Sequence, residues 1–169
     1  MVRLSPLSLA DIELLRRWRN SEGIVRYMEF QKQITAEEQL DWFERLDPKI
    51  EHYFIIKWQE QSVGMAHVNK VDEHSQSAQV GLFMGEPEFA GTGIALKASL
   101  SLLEFAFGSL GLKKVWAKVH QSNHVAYEYN GQLGFELYEQ AGDFQFMELT
   151  RLKFDKVQQR LLDLSQAIG

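Results

Sequence analysis

Between Tyr53 and Ser109 the spacing of apolar residues changes its period, and that change limits the folds open to the chain. Tyr53 to Trp58, Val63 to Asn69 and Ala78 to Met84 are short runs rich in β-branched, aromatic and other apolar residues, the pattern of strands. The first two flank Gln59-Glu60-Gln61-Ser62, which reads as a hairpin turn. Gly85 to Thr92 holds glycine and proline and breaks the pattern. From Gly93 to about Ser109 the chain is apolar over a length that suits a helix and not a strand.

The flanks complete the order. Val2 to Leu4 reads as a short strand. Ser8 opens a helix to about Asn20, with Asp11 in its first turn and Ile12, Leu15 and Trp18 at helical spacing. Thr35 and Glu38 form a capping box for a second helix that carries Leu40, Trp42, Phe43 and Leu46 and stops before Pro48. Gly111 fits the end of the long helix, and Lys113 and Lys114 lead into a strand from Val115 to Val119. Asn123 caps a short helix ending near Gly134. Phe135 to Tyr138 and Phe146 to Lys153 look like a closing pair of strands. A final helix over 155–168 places Val157, Leu161, Leu164 and Ile168 on one face, which either packs on its own domain or meets a second copy in a homodimer. Strand, two helices, three strands, helix, strand, helix and two strands make an α+β layout around a mixed sheet, not a doubly wound one.

A length of 169 residues suits one domain, and no repeat or linker divides it. A net charge of −5 without any basic run argues against wrapping a nucleic-acid backbone. No apolar stretch approaches the roughly 20 residues of a membrane span, and Met1-Val2-Arg3-Leu4-Ser5-Pro6 lacks the apolar core of a signal peptide. A cytoplasmic catalytic or cofactor-binding domain is therefore expected. Cysteine is absent, which removes disulfides, thiolate zinc sites and cysteine nucleophiles. His120 and His124 are four apart but are expected to be divided by a strand end and a loop, so no metal is expected.

The segment Phe89-Ala90-Gly91-Thr92-Gly93-Ile94-Ala95-Leu96-Lys97 joins a strand to a helix with residues small enough for close approach of a ligand to the backbone. A helix start leaves N–H groups without intrahelical partners, and such an end suits a pyrophosphate. Its first turn is expected to contain no Asp or Glu and to contain Lys97, which favours a bound anion. A dinucleotide-binding fingerprint would need a glycine where Leu96 stands, and a Walker A loop would need Lys-Ser/Thr after Gly93. Alone, Gly-x-Gly also describes a plain helix start.

The neighbours add to it. Val80-Gly81-Leu82-Phe83-Met84, Gly91-x-Gly93-x-Ala95, Val115-x-Ala117-x-Val119, Asn123-x-x-Ala126 and Gly134-Phe135 follow one another in an order that resembles the GNAT acetyltransferase superfamily. The resemblance covers roughly 60–140. It implies the acyl-CoA N-acyltransferase fold, a mostly antiparallel twisted sheet flanked by helices, and acetyl-CoA as cofactor. It implies that Ala90, Gly91, Thr92, Gly93, Ile94 and Ala95 hold the coenzyme A pyrophosphate through backbone amides. It also implies that Leu82, Phe83 and Met84 pair with the pantetheine arm and that Asn123 contacts that arm, with Ala126 and Tyr129 beside it. Ala90 stands at the usual Arg or Gln position of the family, and Asn130 where many members place a tyrosine that protonates the departing thiolate. Tyr129 is about 100 degrees round the helix from Asn130, whereas Tyr127 points closer to its side.

The N-terminal part, Asp11-Ile12-Glu13-Leu14-Leu15-Arg16-Arg17-Trp18-Arg19-Asn20 with Met28 and Trp42-Phe43, looks like the branch that acetylates amino-sugar nucleotides in pseudaminic acid synthesis. It is similar also to ribosomal-protein N-terminal acetyltransferases. Gln39 stands where the sugar-pathway enzymes often carry histidine. The acceptor expected is a small-molecule primary amine, an amino-sugar nucleotide first; a protein N-terminus and a non-enzymatic acyl-CoA sensor are the alternatives.

Acetyl transfer to an amine needs a neutral nucleophile, stabilisation of a developing oxyanion and a leaving group. A backbone N–H from Leu82 to Met84 is the natural oxyanion donor, worth about 3 kcal/mol. His67 and Glu86 are the candidate bases, set against a structural role for His67 and a solvated loop charge for Glu86; Gln79 lies where some relatives place a carboxylate. Asn130 and Tyr127 are the candidates on the leaving-group side. Trp18, Arg19, Asn20, Arg26, Tyr27 and Phe30 are expected to line a pocket that stacks a ring and binds a diphosphate. Taken alone, Trp18 reads first as core; Arg19 and Asn20 read equally as helix-end caps, and Tyr127 and Tyr129 as packing.

Overall fold

The computed structural model describes residues 1–168. Strand β1 (Val2–Pro6) leads through a 3₁₀ turn (Leu9–Asp11) to α1 (Ile12–Arg19), a four-residue α2 (Glu22–Val25) and α3 (Ala36–Glu44). Then come β2 (His52–Trp58), β3 (Gln61–Asp72), β4 (Ser77–Met84), α4 (Gly93–Glu104), β5 (Lys114–His120), α5 (His124–Leu133), β6 (Glu136–Ala141), β7 (Phe144–Thr150) and α6 (Arg151–Ala167). The expected capping box forms at Thr35, and a second one, not expected, ties Ser8 to Asp11. Ser8 Oγ donates to Asp11 Oδ2 at 2.6 Å, and Thr35 Oγ1 accepts from the Glu38 N–H at 3.1 Å.

The seven strands form one sheet in the order β1-β2-β3-β4-β5-β7-β6, antiparallel everywhere except between β4 and β5. That parallel contact is short: Ser77 opposite Lys114, Ala78 opposite Val115 and Gln79 opposite Trp116. β4 stays paired with β3 as far as Met84 opposite Gly64. Past Gln79 and Trp116, therefore, β4 and β5 part company inside the sheet.

Strand alternation sorts the side chains onto two faces. On one, Ile56, Ala66, Val68, Val80, Val115, Ala117 and Val119 are buried against Ile94, Leu96, Leu100, Leu103 and Phe107 of α4 and its continuation. Fully burying each large aliphatic residue stabilises by roughly 1.5–3 kcal/mol, so this layer dominates the fold. On the other, Ile55 faces Met65 across β2 and β3, and the Trp18 ring of α1 meets Phe83 edge-on at 6.4 Å. Trp42 of α3 meets Tyr53 in the same manner at 4.9 Å.

One expectation is corrected and two gain detail. The last strand stops at Thr150, not Lys153: the Thr150 side chain accepts from the Lys153 N–H at 3.3 Å and starts α6 at Arg151. The α4 helix reaches Ser109 only through a widened last turn, with the Leu110 N–H bonded to the Phe105 carbonyl five residues back. In α6, Leu161 is buried and Val157 packs on the core, but Leu164 and Ile168 are 40% and 51% exposed. The helix thus lies on its own domain with one end of the expected face left open.

Candidate active site

Both strands that part lead into helix starts at the same end of the sheet, because they run parallel. Leu82, Phe83 and Met84 lie on the stretch of β4 that has a partner on the β3 side only. Main-chain groups there are available to a ligand. At the start of α4, Thr92 Oγ1 donates to the Phe89 carbonyl at 2.7 Å and accepts weakly from the Ile94 N–H at 3.4 Å. Gly91 has φ +74°, a left-handed conformation that suits glycine. The first turn contains no acid; since the helix begins at Gly93, Lys97 falls just beyond that turn. The side chain of Ile94 points into the core, which leaves main chain for a ligand. Gly93 has a different reason to be small: a Cβ there would lie 2.8 Å from Ile168 Cγ2, so the end of α6 occupies that side.

Across the gap, Asn123 caps α5 by accepting from the Ala126 N–H at 3.2 Å. Its amide nitrogen makes no hydrogen bond among the described residues, whereas the Ala126 N–H is taken and its side chain packs on the core. Ala126 therefore positions Asn123 and has no donor of its own to offer. Tyr129 shares a hydrogen bond with Ser99 at 2.7 Å, and burial pushes its phenol up to about 12, with Ser99 opposing. It holds its proton and faces the core. Tyr127 also packs on the core, while Asn130 is half-buried with its side-chain amide unengaged.

On the opposite sheet face the acceptor-side residues divide. Trp18 is 4% exposed, and a Cβ on Gly85 would lie 2.2 Å from its ring. It has no open face on which a ligand ring can stack, which corrects the pocket reading. Its indole Nε1 donates to Glu86 Oε1 at 2.9 Å. Glu86 is thus half-buried and tethered, not a solvated loop charge, and its second oxygen makes no hydrogen bond among the described residues. Asn20 is spent on structure: its amide donates to the Ile34 carbonyl at 2.9 Å and accepts from the Ile34 N–H at 2.8 Å. Arg26 lies against Tyr27, 4.6 Å from its ring centroid, and Tyr27 sits 6.4 Å from His120; neither lines the cavity described next.

That cavity, of about 330 Å³, is lined by Arg19, Met28, Glu29, Phe30 and Ile34. The Arg19 guanidinium lies 5.3 Å from the centroid of Trp42, and burial pushes its pKa below the ordinary range. No carboxylate pairs with it among the described residues. Glu29 is already bound to Lys118 at 2.7 Å, which holds its carboxyl below the usual range. Beneath lies His67, its ring 5.4 Å from Tyr53 and against the backbone of Gly81. Burial, reinforced by Arg19 and Lys70, lowers the His67 pKa to about 4, so the ring is neutral at pH 7. Tyr53, Asn69 and Trp116, which the sequence reading did not single out, share this face; polar residues two apart within an apolar strand were the available sign.

The family model described as the acetyltransferase (GNAT) domain matches residues 2–136. The chain belongs to the GNAT acetyltransferase family. Among its GNAT relatives, the acetyltransferase PseH of Campylobacter jejuni is 29% identical over 139 residues, covering 82% of this chain and 85% of that protein. Spermidine N(1)-acetyltransferase of Escherichia coli is 23% identical over 138 residues, covering 80% and 73%. The crystal structure of C. jejuni PseH in complex with acetyl coenzyme A superposes with a TM-score of 0.69 at 26% identity, covering 89% of this chain and 99% of that one. Vibrio cholerae spermidine N-acetyltransferase, in complex with CoA and spermine, gives a TM-score of 0.82 at 20% identity, covering 90% and 97%.

This GNAT protein is an N-acetyltransferase that uses acetyl-CoA. Its own geometry fits that cofactor: a strand stretch partnered on one side, a helix start without acid, and a left-handed glycine before the cap. Backbone amides at Gly91, Gly93, Ile94 and Ala95 would hold the pyrophosphate, and Leu82 to Met84 with Asn123 would hold the arm; the Ala90 and Thr92 N–H groups already donate to the Pro87 and Phe89 carbonyls at 3.1 and 3.3 Å, which corrects their expected part. No group of three or more metal-ligating side chains occurs among the described residues, and no helix there is long and apolar enough to cross a membrane.

Proposed function

We propose that this acetyltransferase acts on a primary amine carried by an anionic molecule, an amino-sugar nucleotide being the leading acceptor. The observation that carries the reading is Arg19, a largely buried cation that lines the acceptor-side cavity without a carboxylate partner. An uncompensated cation in a partly dry pocket favours an incoming phosphate over an incoming ammonium. A polyamine would bring more positive charge to a cavity whose one acid, Glu29, is neutralised by Lys118. The similarity to PseH supports the same choice, although spermidine acetyltransferases also resemble the chain.

Bound acetyl-CoA supplies an acyl thioester whose thiol, by analogy with cysteine, has a pKa of about 8.5 and leaves readily. The chain contributes orientation and proton handling. Backbone N–H groups between Leu82 and Met84 stabilise the charge that develops on the acyl oxygen. Glu86, aimed by the Trp18 indole, accepts the amine proton through its free oxygen, directly or through water. His67 is closed off from solvent at both ring nitrogens and so serves the acceptor by hydrogen bonding and not by bulk proton exchange. Asn130 has no proton to give up, but its amide can hydrogen-bond the departing sulfur, with Tyr127 nearby as packing.

The test is turnover of acetyl-CoA against amino-sugar nucleotides, peptides with free N-termini and polyamines, followed by thiol release. The expected result is highest kcat/KM with the sugar nucleotide and a rise in its KM of at least about ten-fold in Arg19→Gln, one charge-assisted hydrogen bond being worth about 1.5–3 kcal/mol. Turnover of peptides or polyamines alone would defeat the acceptor assignment.

A further inference from the structure

The sheet face beneath α1 and α3 carries four polar side chains in a contiguous patch. Register sets Tyr53 opposite His67, His67 opposite Gly81, and Asn69 opposite Gln79. Among the described residues a single hydrogen bond joins the four: Asn69 Nδ2 donates to the Tyr53 hydroxyl at 2.8 Å. Asn69 Oδ1, Gln79 Oε1 and both nitrogens of His67 are shut off from water and have no hydrogen-bond partner among the described residues. Buried polar atoms are nearly always paired, and each one left alone costs about 1–3 kcal/mol. Four on one patch are therefore a standing cost to the fold. Gly81 contributes to the arrangement: a Cβ there would lie 2.6 Å from the His67 ring, so glycine is what lets the imidazole lie flat on β4.

Arg19 links the patch to the acceptor-side cavity. Arg19 lines that cavity and is close enough to His67 and Tyr53 to act on both electrostatically. Trp116, in register with Gln79 on β5, adds an aromatic ring with Lys70 Nζ 5.5 Å from its centroid. We propose that His67, Asn69 and Gln79 form the floor of the acceptor site and select an amine that carries hydrogen-bond donors, hydroxyl or amide N–H, beside its nucleophilic nitrogen. The proposal rests on placing the acceptor over this face. Its chemistry follows from the four atoms shut off from water: two amide oxygens only accept, and a neutral imidazole accepts once and donates once, while the Gln79 amide nitrogen, outside that set, can donate as well. Three acceptors to one donor match a hydroxylated or acylamino ring, whereas a polymethylene amine offers nothing but its ammonium groups. Arg19, held by no acid, is the side chain whose rotation toward a ligand anion would open the floor to the cavity. Sites built to hydrogen-bond a substrate reject the analogue that lacks those groups far better than apolar pockets reject an extra one.

Gln79→Met keeps the length of the side chain and deletes the orphan oxygen. Measured on whichever amine the wild type turns over, it should raise acceptor KM about ten-fold, the equivalent of one lost hydrogen bond. KM for acetyl-CoA should stay within about two-fold, and Tm should hold or rise, because an unpaired buried group has gone. An unchanged acceptor KM would overturn the proposal, whatever happens to Tm. A second arm needs no variant: wild-type kcat/KM for a hydroxylated cyclic amine is compared with that for the same ring stripped of its hydroxyls. A preference of about a hundred-fold or more is expected, and equal values would overturn the proposal. If nucleotide-bearing sugars fail while another amine reacts, the reading of Arg19 falls, and the floor is still tested on the amine that reacts.

Discussion

Replacing His67 by phenylalanine should change how stability depends on acidity, by an amount that follows from its surroundings. The imidazole titrates at about 4 in the fold against an ordinary value of 6.5, because burial opposes its charge and Arg19 and Lys70 add to the opposition. Between those values the unfolded chain binds a proton that the folded chain refuses, so stability falls as pH is lowered through this window. Below about 4 both states are protonated, and above about 6.5 neither is, so the effect is confined to the interval. The full loss is about 3 kcal/mol, of which about 2 kcal/mol is reached by about pH 5. The assay is urea unfolding of wild type and His67→Phe at about pH 7 and about pH 5. Whatever packing against Tyr53 and Gly81 the substitution disturbs is the same at both pH values and cancels in the difference. The variant should lose about 2 kcal/mol less than wild type on acidification. Parallel losses would refute the reasoning, since they would mean that the ring reaches water in the native state.

Two further outcomes are expected. Gly91→Ala forces an alanine to φ +74° at a cost of roughly 1–2 kcal/mol, and coenzyme A affinity measured by calorimetry should fall about ten-fold; an unchanged affinity would remove Gly91 from the cradle. Trp18→Phe deletes the N–H that reaches Glu86 at 2.9 Å, so kcat should drop about ten-fold or more while KM for acetyl-CoA holds; a kcat that does not move, in a variant that stays folded, would show that Glu86 needs no aiming.

Local rules carried much of the fold. Thr35 and Glu38 cap α3 as their spacing predicts, Asn123 caps α5, and Gly134 ends that helix at φ +103°. What was not legible is what depends on partners distant in sequence. Nothing in the composition of Val80 to Met84 distinguishes it from Ser77 to Gln79, yet only the latter pairs with β5. Asn20 looked like a substrate contact because its partner, Ile34, lies fourteen residues further on in an irregular segment. Trp18 was ambiguous until the missing side chain of Gly85 showed where its ring goes. Thr150 was overlooked because the alternation from Phe146 onward runs past the point where its hydroxyl turns the chain into a helix. The polar patch was half visible: His67 attracted attention as a lone histidine, whereas Asn69 and Gln79 matter only once register sets them face to face.

The divergence of β4 from β5 after three residue pairs has a consequence for the life of the molecule. Most sheets keep their unspent hydrogen-bonding capacity at the rim, where charge, brevity or proline guards it. Here some of it lies at the centre, in a slot shaped to take an extended chain lengthwise. An extended polypeptide would meet there the same main-chain groups that the pantetheine arm is expected to use. With the arm of coenzyme A in that slot the same groups would be covered, so aggregation followed by light scattering is expected to slow when coenzyme A is added.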